Sequence, residues 1–154
     1  MKFVRDSRVE QVHMLMYEHL NGYGRLFGGR LMEWIDVVAG VVARRHSGCN
    51  VRTAAVDRLS FIAPAYINDI VTIDGRITFV GTTSMEICVD TFVERMSCPE
   101  ERLHVNRAYL TMVAVDQNGN PTQVPELKPE TEAERADYEA GMQRRALRHR
   151  TQLY

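Results

Sequence analysis

The chain lacks most of the features that mark the common enzyme classes. It has three cysteines in 154 residues, Cys49, Cys88 and Cys98, an odd number with neither paired nor metal-like spacing, which argues against a disulfide framework and a zinc site. Its longest apolar run, Val37 to Ala43, is interrupted by Gly40 and is far too short to span a bilayer. The N-terminus, Met1-Lys2-Phe3-Val4-Arg5-Asp6, has no apolar stretch of the kind a signal peptide needs. A formal net charge of -1 gives no global attraction to nucleic acid or to an anionic membrane, so an anionic ligand needs a local patch. The histidines His13, His19, His46, His104 and His149 show no metal-ligand spacing, and Ser60 and Ser84 lack the glycine-flanked elbow of serine hydrolases. These absences predict a cytoplasmic protein with no metal, no redox cofactor, and no nucleic-acid or membrane partner.

With those classes set aside, a length of 154 residues predicts one domain, residues 1–154, large enough to bury its own core. The organising stretch runs from Asn21 to Asp36. A polar, glycine-rich turn, Asn21-Gly22-Tyr23-Gly24-Arg25-Leu26-Phe27-Gly28-Gly29, leads into a helical pattern from Arg30 to His46. Ser47-Gly48 ends that helix, since glycine suits a left-handed C-terminal cap, and Arg44, Arg45 and His46 suit the negative end of the dipole. Leu31, Met32, Trp34, Ile35, Val37, Val38, Val41 and Val42 cover nearly the whole circumference, which predicts burial on most sides. Gly29, Glu33, Asp36 and Gly40 form one stripe of small and acidic residues on that apolar rod. The stripe must face something other than hydrocarbon.

Around the helix the sequence predicts strands. Val9 to Tyr17 precedes it; Val51 to Phe61, Asp69 to Val80, Thr83 to Arg95 and Arg102 to Val115 follow, with breaks at Ala63-Pro64-Ala65, Gly81, Ser97-Cys98-Pro99 and Asn118-Gly119-Asn120-Pro121. Alternation along Val71 to Phe79 predicts an antiparallel sheet with one face covered and one wet. The segment from Glu130 to Arg150 is acidic in its first half and basic in its second, the polarity of a helix aligned with its own dipole. The expected class is α+β, an antiparallel sheet curled around one long helix, with a charged C-terminal helix. One sheet covers part of such a helix, which predicts a second copy on the rest.

Gly22-x-Gly24 followed by Gly28 imitates a dinucleotide fingerprint, but the third glycine is one residue late and no parallel βαβ unit follows. A different pattern fits. Asn21-x-x-Gly24-x-x-Phe27-Gly28-Gly29, Asp36, Asp57-Arg58-Leu59-Ser60-Phe61 with Pro64, Asp69-Ile70-Val71, Gly81-Thr82-Thr83-Ser84-Met85-Glu86, Asn106-Arg107-Ala108-Tyr109 and Val124-Pro125-Glu126-Leu127 resemble, in order and spacing, the acyl-CoA hydrolase branch of the hot-dog-fold thioesterases. The resemblance covers residues 9–127, leaving 130–150 as a helical tail.

It implies hydrolysis of a fatty or short-chain acyl-CoA to a carboxylic acid and coenzyme A, with coenzyme A as part of substrate and product rather than as a cofactor. It also implies a homodimer with shared active sites, pairs of which assemble into hexamers as trimers of dimers. Asp36 matches the catalytic carboxylate; on an apolar helix, burial raises a carboxyl's pKa and strips its solvent, and such a group serves as a base toward water or as the nucleophile. A structural Asp in an interface is the plainer alternative. Asn21 matches the second polar catalytic position and meets Asp36 across the dimer, although Asn beside glycine is also ordinary turn chemistry. Gly28 and Gly29 open the helix, where unpaired amides suit a developing oxyanion and glycine admits a close approach.

Gly81, Thr82, Thr83 and Ser84 match a segment along the pantetheine and phosphate arm, against the alternative of a plain hairpin turn. For the phosphoadenosine end Arg58 is the first choice, with Arg76, Arg107, Arg144, Arg145 and Arg148 behind it. Two other functions compete: a hydratase or dehydratase on the same fold, whose catalytic histidine is missing from the helix before His46, and a non-catalytic acyl-CoA-binding protein.

Overall fold

A computed structural model describes residues 1–151. The chain forms β1 (Lys2–Phe3), β2 (Val9–Met14), α1 (Gly28–Ser47), β3 (Asn50–Phe61), β4 (Ile70–Val80), β5 (Ser84–Arg95), β6 (Cys98–Val115), β7 (Leu127–Lys128) and α2 (Glu132–Thr151). The five long strands make one antiparallel sheet in the order β2-β4-β5-β6-β3, and β1 pairs in parallel with β7. The sheet wraps α1. Val38 and Val42 of α1 press against Gly75 of β4, where an added Cβ would stand 2.5 Å from Val38 Cγ1, so the helix comes this close because that position has no side chain. Ile73, Ile77, Ile87, Val89, Ala108 and Leu110 complete the core with Ile35 and Ala39.

The helix runs two residues further at its N-terminus than its apolar pattern predicts and one further at its end, where Gly48 takes the left-handed conformation (φ 69°) as a C-terminal cap. Its burial is narrower than expected. Leu31, Trp34, Ile35, Val38, Ala39, Val42, Ala43 and His46 are buried, but Met32 and Val37 stay 42% and 49% exposed beside Glu33 and Asp36. One sheet can cover only one side of a rod, so a single chain leaves the acidic stripe and its apolar flanks open.

Three further expectations change. The first strand stops at Met14 rather than Tyr17, because Tyr17–His19 forms a 3₁₀ turn. β6 begins at Cys98 rather than Arg102, since Cys98 pairs directly with Arg95 across a tight hairpin. The outer face of β4 is not wet. Thr72, Asp74 and Thr78 are buried there, as are Glu86 and Asp90 of β5.

The cover over part of that face is α2, which reads from sequence as a self-sufficient charged helix. Gly141 lets it lie against the sheet: a Cβ there would be 2.6 Å from Phe79 Cβ and 2.9 Å from Glu86 Oε1. Phe79 reaches this side because the β4–β5 register shifts between Ile77 and Phe79, and its ring meets Tyr138 edge-on at 4.9 Å. The arginines of the outer face are matched to buried acids. Arg144 makes a two-pronged pair with Glu86, 2.9 and 2.7 Å, and Thr78 Oγ1 donates to the same carboxylate at 2.6 Å. Arg76 binds both Asp90 and Asp137, while Arg107 and His104 converge on Asp90.

Burial pushes the Asp90 carboxyl upward, but hydrogen bonds from Arg107 and Arg76 outweigh it and leave its pKa below the ordinary 3.8. A depressed carboxyl stabilises the fold above its unfolded value and loses that contribution as pH falls through the folded one. Asp90→Asn should therefore cost stability at neutral pH and flatten the acid side of the stability curve below about pH 4, measured by urea unfolding across that range. An acid limb of unchanged slope would remove Asp90 as its source.

Candidate active site

The Asn21 turn is built by its own side chain. Asn21 Oδ1 accepts from the Tyr23 and Arg25 amides at 2.9 and 3.2 Å, and Asn21 N donates to Arg25 O at 2.8 Å. Gly24 supplies the positive φ of 72° that closes the turn. With its oxygen engaged, Asn21 presents its Nδ2 as a donor, and that amide is exposed. The plain turn reading is thus correct for one end of the side chain and leaves the other end available for chemistry.

The loop then returns to the helix. Leu26 N donates to Ala65 O and Phe27 N to His19 O, both at 2.8 Å, and Phe27 stands at the N-cap in extended conformation without a side-chain cap. In the first turn of α1 the amides of Gly28 and Gly29 have no intrahelical acceptor. No acid occupies that turn to neutralise the positive end of the dipole. Gly28 lines a cavity of about 450 Å³ with Asn21, Arg25, Phe61, Ile62 and Pro64; Gly29 lines a second, of about 280 Å³, with Met32, Ile35, Asp36, Val56, Leu59 and Leu110. The helix N-terminus stands between the two.

Asp36 lies two turns further along α1, about 10 Å from Gly29 along the axis. It is exposed in the single chain, so the burial expected for it is not supplied by this chain's own sheet. Thr53 of β3 donates its hydroxyl to Asp36 Oδ1 at 2.6 Å. Sequence reading missed Thr53: a threonine in a strand is unremarkable, and only the packing of β3 beside α1 puts it against the carboxylate. Asn21 and Asp36 border different cavities of one chain.

The expected coenzyme A segment lies apart from both cavities. Gly81 to Ser84 forms the β4–β5 turn, with Gly81 N donating to Ser84 O, and the carbonyls of Thr82 and Thr83 accept from Val124 and Ala114. A Cβ on Gly81 would stand 3.1 Å from Arg145 Nε. Arg58 sits at a bulge of β3 with a left-handed φ of 54° and lines a third cavity of about 230 Å³ with Asp57, Arg144 and Arg148. Of the six candidate phosphate-binding arginines, Arg76, Arg107, Arg144 and Arg148 are paired with Asp90, Asp137, Glu86 and Asp57. Among the described residues, Arg58 and Arg145 carry no such ion pair.

Among the described residues no cluster of metal-binding side chains occurs, and no helix is long and apolar enough to cross a membrane. A five-stranded antiparallel sheet curled around one long helix is the α+β architecture expected of a hot-dog fold. The Thioesterase superfamily model matches residues 23–98. An uncharacterized acyl-CoA thioester hydrolase of Bacillus subtilis is 36% identical over 93% of this chain and 83% of its own. The chain belongs to the thioesterase superfamily, among its acyl-CoA hydrolases.

The cytosolic acyl coenzyme A thioester hydrolase of rat is 36% identical over 90% of this chain, which spans only 36% of the rat protein. Two solved structures superpose closely. The acyl-CoA hydrolase of Staphylococcus aureus, in complex with butyryl coenzyme A, coenzyme A and coenzyme A disulfide, has a TM-score of 0.91 at 30% identity, covering 99% of this chain and 92% of its own. An apo-hexameric acyl-CoA thioesterase has a TM-score of 0.93 at 32% identity over 99% of both chains. The staphylococcal enzyme has also been solved with an asparagine, an aspartate or a threonine replaced by alanine, three positions spaced along its chain as Asn21, Asp36 and Thr53 are here.

Proposed function

We propose that this chain hydrolyses acyl-CoA thioesters to a carboxylic acid and coenzyme A, at active sites shared between two copies. One observation carries the reading. The uncapped start of α1 opens on a cavity edged by Asn21, while two turns along the same helix Asp36 stands on an open face against Thr53.

The thioester carbonyl oxygen takes hydrogen bonds from the Gly28 and Gly29 amides, and these strengthen as the oxygen gains charge; one such donor is worth roughly a factor of 10²–10³ in kcat. The Asn21 Nδ2 supplies a further donor to that oxygen or to the attacking water. Thr53 occupies Asp36 Oδ1, which leaves Oδ2 to take the proton from water as its oxygen bonds to the carbonyl carbon. Collapse of the tetrahedral intermediate breaks the C–S bond, and the coenzyme A thiolate leaves with a proton returned from Asp36 or solvent.

The apolar cleft formed by Met32, Ile35, Val56, Leu59 and Leu110 beside Asp36 receives the acyl chain. The coenzyme A arm runs outward toward the Gly81–Ser84 turn, with its phosphates on Arg58 and on Arg145 beside that turn. A second copy covers the open side of α1, where Met32 and Val37 flank Asp36. That copy brings its own Asp36 and Thr53 to the first copy's Asn21, Gly28 and Gly29, and the hexameric relative supports further assembly of such pairs.

Purified protein given acyl-CoAs of graded chain length should release free thiol from at least one of them and elute as an oligomer. No release at any chain length rejects the thioesterase, and an active monomer rejects the shared site.

A further inference from the structure

His19 plays no part in the chemistry just described, yet it ties together the loop that supplies that chemistry. It ends the 3₁₀ turn Tyr17–His19 and is held from three directions. Its Nδ1 accepts from the Met16 amide at 3.0 Å, its carbonyl accepts from the Phe27 amide at 2.8 Å, and its ring meets Trp34 of α1 edge-on, with centroids 5.1 Å apart. Trp34 is buried in the core and is stacked by His13 of β2 at 4.0 Å, so the His19 ring is referenced to the helix itself. The neighbouring Leu20 bridges to Leu26, and Asn21 N reaches Arg25 O. Asn21 therefore follows His19 by two residues, and Gly28 follows its hydrogen-bond partner Phe27 by one.

We propose that His19 is a positioning residue for the hydrolysis: with Nδ1 unprotonated, it holds the Asn21 amide and the Gly28 and Gly29 amides in register around the thioester carbonyl. This rests on the thioesterase reading above. The Met16 amide can only donate, so a proton on His19 Nδ1 sets two donors facing each other and opens the clasp. Two titratable groups face the ring. They are Glu18, whose Oε1 lies 3.5 Å from Nε2, and His13, whose own pKa is lowered first by burial and then by His19. Trp34, the contact from α1, carries no charge.

Three variants separate this role from simple support. Asparagine places an oxygen acceptor near the Nδ1 position, glutamine places it near Nε2, and alanine removes it. His19→Ala and His19→Gln should lower kcat by roughly tenfold, the worth of about one hydrogen bond, with KM changed far less. His19→Asn should retain most of the wild-type kcat, because its oxygen still accepts from the Met16 amide. Hydrogen exchange at the Met16 and Phe27 amides should rise in the Gln variant and stay slow in the Asn variant, a reading independent of turnover and of whether the Ala variant folds. Wild-type kcat in all three variants, or an Asn variant as slow as Gln, overturns the proposal. Wild-type protein that releases no thiol overturns the thioesterase reading and this proposal together; active wild type with indifferent variants overturns this one alone.

Discussion

Asp36→Asn is expected to lower kcat by roughly 10²–10⁴, the range that a positioned general base supplies. The fold should not notice. Asp36 is exposed in the chain, and its hydrogen bond is the one received from Thr53, which an asparagine oxygen accepts equally well. The variant should therefore melt and elute as wild type does while turnover disappears. Thr53→Val should cost less, about 10–100-fold, because it removes one hydrogen bond to a charged acceptor and leaves the carboxylate in place. Assays of thiol release with thermal melts alongside test both. Full turnover in Asp36→Asn would remove Asp36 from the chemistry.

The second large effect concerns stability. Glu86 is 2% exposed and holds Arg144 through two hydrogen bonds, with Thr78 on the same carboxylate and Arg148 3.8 Å away. Glu86→Ala strands Arg144 between α2 and the sheet, while Arg148 keeps Asp57 and Thr78 keeps the residue-86 carbonyl, and breaking a buried pair from one side costs about 3–5 kcal/mol. Replacing both partners, Glu86→Leu with Arg144→Met, should recover most of that loss, since an apolar pair leaves no uncompensated charge. Urea unfolding of the two variants reads the difference directly. A loss of under about 1 kcal/mol for Glu86→Ala, typical of surface pairs, would mean that α2 is held by Phe79, Tyr138 and the close approach at Gly141 instead.

The parts of this fold visible in the sequence are those governed by short-range rules. Gly48 caps α1 as its position suggests, because a left-handed residue after a helix favours glycine wherever the helix packs. The five strands follow from apolar patterning, and the antiparallel pairing of β4, β5 and β6 from their short connections. What the sequence concealed depends on which segments meet. The alternation in β4 reads as one dry and one wet face, yet Thr78 is buried, because a helix more than fifty residues later lies on the same side of the sheet and its Arg144 pairs with Glu86 there; Asp74, also buried, is held by Arg8 from the other end of the chain. The 3₁₀ turn at Tyr17–His19 has no glycine or proline to announce it; it is made by His19 bonding back to Met16.

The site divides in the same way. Asn21, Gly28, Gly29 and Asp36 lie within sixteen consecutive residues and stand out as a turn entering an apolar helix with one acid. Thr53 is on another element, and its contact with Asp36 exists only after β3 packs against α1. The arginines proposed for phosphates look alike in sequence. The buried carboxylates that engage Arg76, Arg107 and Arg144 separate them from Arg58 and Arg145.

If Asn21 of one copy works with Asp36 of another, two inactive variants restore each other when mixed. Asn21→Ala and Asp36→Asn are each made alone, shown to be inactive, and then co-expressed so that mixed dimers form. If the site is shared, each mixed dimer carries one intact pairing of Asn21 with Asp36, and thiol release should return to a substantial fraction of wild type. If both residues of a site come from a single chain, no subunit in the mixture is whole; activity that stays at the level of the separate variants, with mixed dimers verified by mass, would rule out a site shared between copies.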